Sequence, residues 1–411
     1  MKPESLMMSH GYNASWSENS IKPPVFLTST FAFNSAEEGK RFFELGYGLK
    51  EPNEGEKEGL IYSRINNPNA QIAEERLCVW DKTDEAALFS SGMSAISAMF
   101  MAFLKPGDTL LYSVPLYGGS TAFIQYILVG FGIKVVPFHY TLSPDEIHAL
   151  IEKEGIADSL KMIFTESPAN PTNTVIDIEA CTNLAKQYST ADKKVRVAMD
   201  NTYMGPVWQN PKEFGVDLIL YSATKFIGGH SDLVAGACLG SSEDMLLVKK
   251  MRSLFGGMID PHTAWMISRS LETLSIRCKK QEENAIEVAN FLAKHPKVEK
   301  VMFPGLPENE QQKALIEKQC NGVGAMISFN VVGGEAEAFK FLNATKLIKL
   351  AVSLGSTESL AQHPYSMTHS VVPADEKIAS GIGENLVRIS IGVEDAQDLI
   401  HDISQALDAM G

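Results

Sequence analysis

The residue that says most about chemistry in this 411-residue chain is a lysine just past an apolar run. In the stretch Tyr221-Ser222-Ala223-Thr224-Lys225-Phe226-Ile227-Gly228-Gly229-His230, hydroxyls stand one and three residues before Lys225, and a glycine pair follows it. A lysine in a dry pocket loses its proton more easily and can form a Schiff base with a carbonyl. Ser222 and Thr224 can donate to a phosphate, so the segment meets the needs of a pyridoxal phosphate site. A lysine at a strand end is also commonly a solvated surface residue, and its neighbours must decide. Upstream, the apolar run 195–199 ends in Asp200. A carboxylate beside a pyridine nitrogen keeps that nitrogen protonated and lets the ring act as an electron sink. Asp200 could equally cap a helix ahead of Asn201-Thr202. Ser90-Ser91-Gly92-Met93 precedes a helix-forming stretch at 95–104, and amides at a glycine-opened helix start cradle phosphate. Plain helix capping explains the same residues.

These groups are far apart in sequence and need a scaffold that gathers them. From about 67 to 265, helical stretches alternate with short apolar runs at 86–89, 109–112, 133–137, 162–165, 195–199, 216–221 and 233–239. Runs without period-two alternation suit strands covered on both faces, so an α/β fold with a mostly parallel sheet is expected. Polar clusters follow most of the runs, and ligands of open α/β sheets bind outside the carboxyl ends of strands. Residues 1–66 show little periodicity and read as an N-terminal arm contacting a neighbouring subunit. Within it, 46–59 is charged and glycine-rich, a surface loop. Residues 67–270 form the expected cofactor-binding α/β domain. Residues 271–411 form a smaller C-terminal α+β domain with amphipathic helices, the last spacing Leu399, Ile403 and Leu407 by four.

Composition narrows the function classes. The chain is 45% hydrophobic and 21% charged, which excludes collagen, a disordered tail protein and a disulfide scaffold. With 36 Lys+Arg against 50 Asp+Glu, a net charge of −14 repels phosphate backbones and anionic lipid. Nucleic acid and membrane are therefore not expected partners. Five scattered cysteines without a CxxC pair, no basic-then-apolar leader and no long apolar span make a cytoplasmic protein the expectation. His363 and His369 lack metal-ligand spacing, and no metal is expected. His230, after the glycine pair, is expected to make a structural hydrogen bond.

Taken in order, IYSRINNPN (61–69), SSGMSA (90–95), LYGG (116–119), ESPANPT (166–172), MDNTY (199–203), SATKFIGGHSD (222–232), SLGSTESLAQHPYSMTH (353–369) and VRISIGVED (387–395) resemble one family. It is that of the Cys/Met-metabolism pyridoxal phosphate enzymes: cystathionine γ-synthase, cystathionine lyases, methionine γ-lyase and O-acylhomoserine sulfhydrylases. The similarity covers roughly 20–410 and implies the fold-type I, aminotransferase-like architecture. It also implies a homotetramer of dimers that share active sites. By resemblance, Lys225 holds the cofactor and then shuttles protons, Asp200 pairs with the pyridine nitrogen, and Tyr117 stacks on the ring as acid/base. Gly92, Met93, Ser222 and Thr224 bind the phosphate, which Tyr62 and Arg64 reach from the partner subunit. Asn170 sits near the ring hydroxyl, and Arg388, supported by Ser353, clamps the substrate carboxylate.

Within the family, substrate choice depends on what faces the substrate tail. The cystathionine γ-lyase pattern places acidic residues just before YSR and SLG and an arginine shortly after YGG; here Ile61, Val352 and Ala122 stand there. An apolar pocket favours an uncharged thioether tail, because it leaves no buried charge unpaired. The expected activity is γ-elimination of L-methionine or a related sulfur amino acid, giving a thiol, 2-oxobutanoate and ammonia. Two departures qualify the resemblance. Gly119 stands where methionine γ-lyases typically carry Cys, as it does in γ-synthases, and the 46–59 loop is long for the group. The alternatives are γ-replacement by a cystathionine γ-synthase or O-acylhomoserine sulfhydrylase, cystathionine γ-lyase activity, and, remotely, a non-catalytic binding protein.

Overall fold

The structure is a computed structural model that describes residues 1–56, 59–370 and 372–411. The architecture is mixed α/β. Strands β1 (Glu85–Phe89), β2 (Thr109–Val114), β3 (Lys134–His139), β4 (Leu160–Glu166), β5 (Arg196–Asp200) and β6 (Leu218–Tyr221) alternate with helices, and β7 (Gly236–Gly240) follows β6 without one. Strands β8 (Val298–Met302), β9 (Met326–Val331), β10 (Lys349–Leu350), β11 (Leu360–Gln362) and β12 (Leu386–Ser390) follow. The chain divides into two compact units. One comprises Met1–Phe103, Leu220–Thr224 and Leu233–Thr273; the other comprises Leu104–Ile219, Lys225–Asp232 and Leu274–Gly411.

In the first unit β1 and β7 pair antiparallel, from Glu85 opposite Gly240 to Phe89 opposite Gly236. Ala86–Phe89 and all of β7 are buried, as continuous apolar runs require. The helix Gly92–Phe103 packs on Ser242–Phe255, and Pro261–Leu271 packs on Pro68–Asp81. A buried ion pair ties this interior together. Arg252 Nη1 lies 2.6 Å from Glu74 Oε1, which also accepts from the Leu88 amide at 2.8 Å. Residues 1–66 are more ordered than their sequence suggests, because Ser35 caps an eleven-residue helix, Ala36–Gly46, by accepting from Glu38 N at 3.1 Å. Residues 47–55 are exposed and carry no regular element, as expected of the loop, while Lys57 and Glu58 lie outside the described residues.

In the second unit β3, β2, β4 and β5 lie side by side in that order, all parallel. Strands β2, β4 and β5 are almost wholly buried. Strand β3, expected as a doubly covered run, instead alternates, with Lys134 and Pro137 exposed. It pairs with β2 only, and an edge position tolerates a proline that cannot donate to a ladder. The parallel register sets Glu166 opposite Asp200 at the carboxyl ends of β4 and β5. A second sheet runs β10-β11-β12-β9-β8, antiparallel except at β10–β11. The helix Leu274–Leu292 packs on β8 and β9, and Ala396–Asp408 packs on that helix and on Glu335–Ala344, burying Leu399, Ile403 and Leu407 completely, as their spacing predicts.

Candidate active site

The segment after Thr224 is held by interactions that only glycine permits. The Gly229 amide donates to the Lys225 carbonyl at 2.7 Å, and Gly229 has φ +68. A Cβ there would lie 1.8 Å from Arg277 Nη1, which itself donates to the Phe226 carbonyl at 2.9 Å. Gly355, with φ +81, approaches so closely that a Cβ would sit 2.5 Å from Phe226 N. A side chain at Gly355 would push the lysine turn away, and one at Gly229 would displace the Arg277 guanidinium that holds it. Lys225 is thereby half-buried, with Nζ donating to Ser353 Oγ at 3.0 Å.

Ser353 also connects Lys225 to a guanidinium, for its carbonyl accepts from Arg388 Nη2 at 3.0 Å. Arg388 is 2% exposed, on the central strand β12. Its remaining partners are all neutral: Asn170 Oδ1 at 3.0 Å, the Val352 carbonyl at 3.3 Å, and Gln362. With its amide oxygen turned toward the guanidinium, Gln362 accepts from Nη1 at 2.9 Å and Nη2 at 3.1 Å. Among the described residues no carboxylate pairs with Arg388. Burial first, and then the charge of Arg388, lowers the Lys225 ammonium to a pKa of about 8. A useful fraction of the amine is therefore neutral and nucleophilic near neutral pH.

At the strand ends opposite, Asp200 is buried and accepts from the Thr202 amide at 3.0 Å. Its neighbour Glu166 accepts from Asn170 N at 2.7 Å and from Tyr117 N at 2.8 Å. Burial pushes both carboxyls up, and the charge of Asp200 pushes Glu166 up further. Among the described residues no lysine, arginine or histidine pairs with either. Asn170 Oδ1 additionally receives the Tyr203 hydroxyl at 2.6 Å. Tyr117 is 38% exposed and begins the helix Gly118–Ala122, while a Cβ on Gly118 would meet the Thr368 carbonyl at 2.6 Å.

The remaining expected residues belong to the first unit. Ser91 Oγ caps Ser94 N at 3.1 Å, leaving the Gly92 and Met93 amides at the open start of the helix Gly92–Phe103. A Cβ on Gly92 would lie 3.0 Å from the Ser222 Cβ, so the small residue keeps this cradle clear. The Thr224 hydroxyl is engaged with Ala235, donating to its carbonyl at 3.1 Å and accepting from its amide at 3.0 Å. Arg64 donates to the Ser253 carbonyl at 2.6 Å and lies 6.0 Å from the centroid of the Tyr62 ring, which is 42% exposed.

Lys225, Ser353, Arg388 and Asn170 thus form one hydrogen-bonded group within the second unit, joined through Glu166 to Tyr117 and opposite Asp200. Val352 borders that group and is 58% exposed, whereas Ile61 is buried in the first unit beneath Gly46. Of the three apolar positions read as a tail pocket, then, Ala122 and Val352 belong to one unit and Ile61 to the other. His230 Nδ1 bonds the Gly228 carbonyl at 2.7 Å, the structural role expected. Both nitrogens of His363 are occupied, by Ser366 Oγ and the Glu384 carbonyl, each at 2.7 Å. Glu166, Tyr203 and Gln362 were not singled out by sequence reasoning, although all three lie inside motifs that it used.

Residues 4–408 match the family described as Cys/Met metabolism PLP-dependent enzyme. The chain belongs to that family. It is 39% identical over 392 residues to an L-methionine gamma-lyase of Treponema denticola, covering 95% of this chain and 93% of the relative. It is 35% identical over 395 residues to a cystathionine gamma-lyase of Sus scrofa, covering 96% and 90%. A solved cystathionine gamma synthase from Xanthomonas oryzae pv. oryzae superposes with a TM-score of 0.88 at 31% identity, covering 100% of this chain and 98% of that one. The fold is therefore that of pyridoxal phosphate-dependent transsulfuration enzymes, and the protein is a pyridoxal phosphate enzyme. In the second unit, a buried Asp200 without a cationic partner among the described residues suits a protonated pyridine ring, and a lysine with a lowered pKa suits an aldehyde; in the first, the glycine-opened helix start suits a phosphate.

Proposed function

We propose that the protein is a carbon–sulfur lyase that eliminates the γ-substituent of L-methionine or a related uncharged thioether amino acid. The products are a thiol, 2-oxobutanoate and ammonia. The observation that carries this reading is the uncompensated Arg388, a buried cation beside Lys225 that an α-carboxylate would complete. Pyridoxal phosphate, when bound, withdraws electrons from the substrate's Cα and makes its protons labile. Lys225 would hold the cofactor and, as the free amine, take the protons from Cα and then Cβ whose loss lets the γ-sulfur leave. Tyr117 would give a proton to the departing sulfur, and water would supply the oxygen of the oxo acid and release ammonia. Asp200 would keep the ring nitrogen protonated, Asn170 would lie by the ring hydroxyl, and Ser353 steadies Lys225 and Arg388. Gly92, Met93, Ser222 and Thr224 take the phosphate, Thr224 exchanging its bond to Ala235.

In this reading the protein is a cytoplasmic homotetramer of active-site-sharing dimers. Tyr62 and Arg64 reach the phosphate of the partner subunit from the arm 1–66, and Ile61 lines the partner's tail pocket. The cofactor domain is 67–270 and the smaller domain 271–411. Methionine γ-lyases at 39% identity support the substrate class. A second reading, γ-replacement, is favoured by Gly119, as in γ-synthases, and by the fold shared with a cystathionine γ-synthase. One product screen separates them. The holoenzyme is given methionine, cystathionine, homocysteine, and O-acylhomoserine plus cysteine, with 2-oxobutanoate and thioether products both quantified. 2-Oxobutanoate from methionine at the highest kcat/KM supports the lyase. Thioether formed faster than 2-oxobutanoate would replace it with the synthase. The variant Lys225→Ala should lose the borohydride-reducible cofactor bond and all turnover.

A further inference from the structure

Glu166 has no part in the chemistry above, yet its carboxylate touches two residues that do, Tyr117 and Asn170. It is 4% exposed at the end of β4. Its two oxygens accept from two backbones that arrive from different loops, Oε1 from Asn170 N at 2.7 Å and Oε2 from Tyr117 N at 2.8 Å. Asn170 in turn receives Tyr203 and Arg388 on its side chain. Ser113 on β2 accepts from the Glu166 amide at 3.4 Å, so neighbouring strands fix the backbone beneath the carboxylate. Opposite it in the parallel register stands Asp200.

Two facing carboxylates in a dry interior are a costly arrangement, since each disfavours the charge of the other. Glutamine in place of Glu166 would remove the repulsion, but a carboxamide has only one acceptor oxygen, and its NH2 would confront one of the two amides. The arrangement is explained if both acceptors and the charge are used together. We propose that Glu166 is a positioning residue that fixes the Tyr117 and Asn170 backbones around the cofactor ring and whose charge, beside Asp200, strengthens binding of the protonated pyridine. This rests on the assignment of Asp200 to the ring nitrogen. The groups facing Glu166 are then Asp200 on β5, the Tyr203 hydroxyl and, through Asn170, Arg388.

A merely structural glutamate and a positioning one differ in which property suffers. For Glu166→Gln, the cofactor-free protein should keep its fold and lose no more thermal stability near neutral pH than one mispaired buried amide accounts for. Its dissociation constant for pyridoxal phosphate, read from cofactor absorbance, should nevertheless rise at least tenfold. The kcat of the cofactor-saturated variant should fall more than its amino-acid KM changes, since Tyr117 is displaced while Arg388 is not. Unchanged cofactor affinity, or a loss that merely follows destabilisation of the apoprotein, would overturn the proposal. Hydrogen exchange in wild-type apoprotein needs no variant: the Tyr117 and Asn170 amides should be protected, and fast exchange at both would also overturn it. Asp200→Asn keeps the two readings apart. If that variant retains cofactor at wild-type affinity, the ring-nitrogen assignment itself fails, whatever Glu166 does.

Discussion

Two buried arginines show how this molecule distinguishes architecture from function. Arg252, in the first unit, is closed by Glu74 at 2.6 Å and by the Leu88 and Ile65 carbonyls at 3.1 and 3.2 Å. Its charge is neutralised in place, and what it contributes is the attachment of β1 to the helix Ser242–Phe255. Arg388, in the second unit, is buried as deeply, yet every partner it has is neutral. A buried charge without a counter-ion is destabilising unless a ligand brings one. Asp200 is the mirror case, a buried carboxyl set beside another carboxyl with no cation paired to it among the described residues. The two arginines are therefore used in opposite ways: Arg252 is neutralised within the fold, whereas Arg388 has no counter-ion among the described residues.

Removing each arginine should accordingly damage a different property. Arg252→Met leaves Glu74 buried and alone, and breaking a buried pair in this way costs about 3–5 kcal/mol. Chemical denaturation should register that loss, while the amino-acid KM of the folded holoenzyme stays as it was. Arg388→Gln should do the reverse, raising KM for the amino acid roughly a hundredfold, about 2.7 kcal/mol, with little loss of stability. If Arg388→Gln proves the more destabilising and leaves KM untouched, its charge is architectural after all and the contrast collapses.

A smaller effect tests what lies beside the unpaired cation. Val352, more than half exposed, presents its carbonyl to Arg388. Val352→Glu places an anion at the rim, where it can meet the distal ammonium of cystathionine. The ratio of kcat/KM for methionine over cystathionine should fall about tenfold, the scale of one added polar contact to a substrate. Kinetics on both substrates decide the point. A rise in methionine KM as large as that of Arg388→Gln would mean instead that the new carboxylate has folded back onto Arg388.

Much of this was legible in the sequence, and the parts that were not share a cause. Apolar runs such as 109–112 and 162–165 mark β2 and β4, because a doubly covered strand has no polar face to interrupt it. Lys225 and Asp200 stand out since their chemistry is unusual after such runs, whereas Arg388 is marked only by the family resemblance. Glu166 does not, because its importance comes from the β4–β5 register that sets it against Asp200 and from loop folding that brings Tyr117 N within reach. Neither is encoded in local spacing. The alternation of β3 follows likewise from its place at a sheet edge, which only the assembled topology reveals.

The smallest expected effect is a displacement along the pH axis, and it examines how closely Arg388 and Lys225 communicate. In the apoprotein Lys225 titrates near 8, where an unperturbed lysine titrates near 10.5. The unfolded chain therefore keeps this proton over a range in which the folded chain has released it. By linkage, the contribution of Lys225 to stability rises as pH climbs from about 8 to 10.5 and is absent below that window. The neutral amine is also the form that captures an aldehyde, so the rate at which apoprotein takes up pyridoxal phosphate should increase through pH 8 and then level off. Burial is the larger cause of the lowered value and the charge of Arg388 the smaller. Arg388→Gln should therefore shift the midpoint upward only part of the way toward 10.5. Stopped-flow absorbance of cofactor uptake across pH gives the midpoint directly. No shift in Arg388→Gln would show that the two side chains share Ser353 without sharing a field. A shift all the way to 10.5 would show that the arginine's charge, and not the dryness of the pocket, activates the lysine.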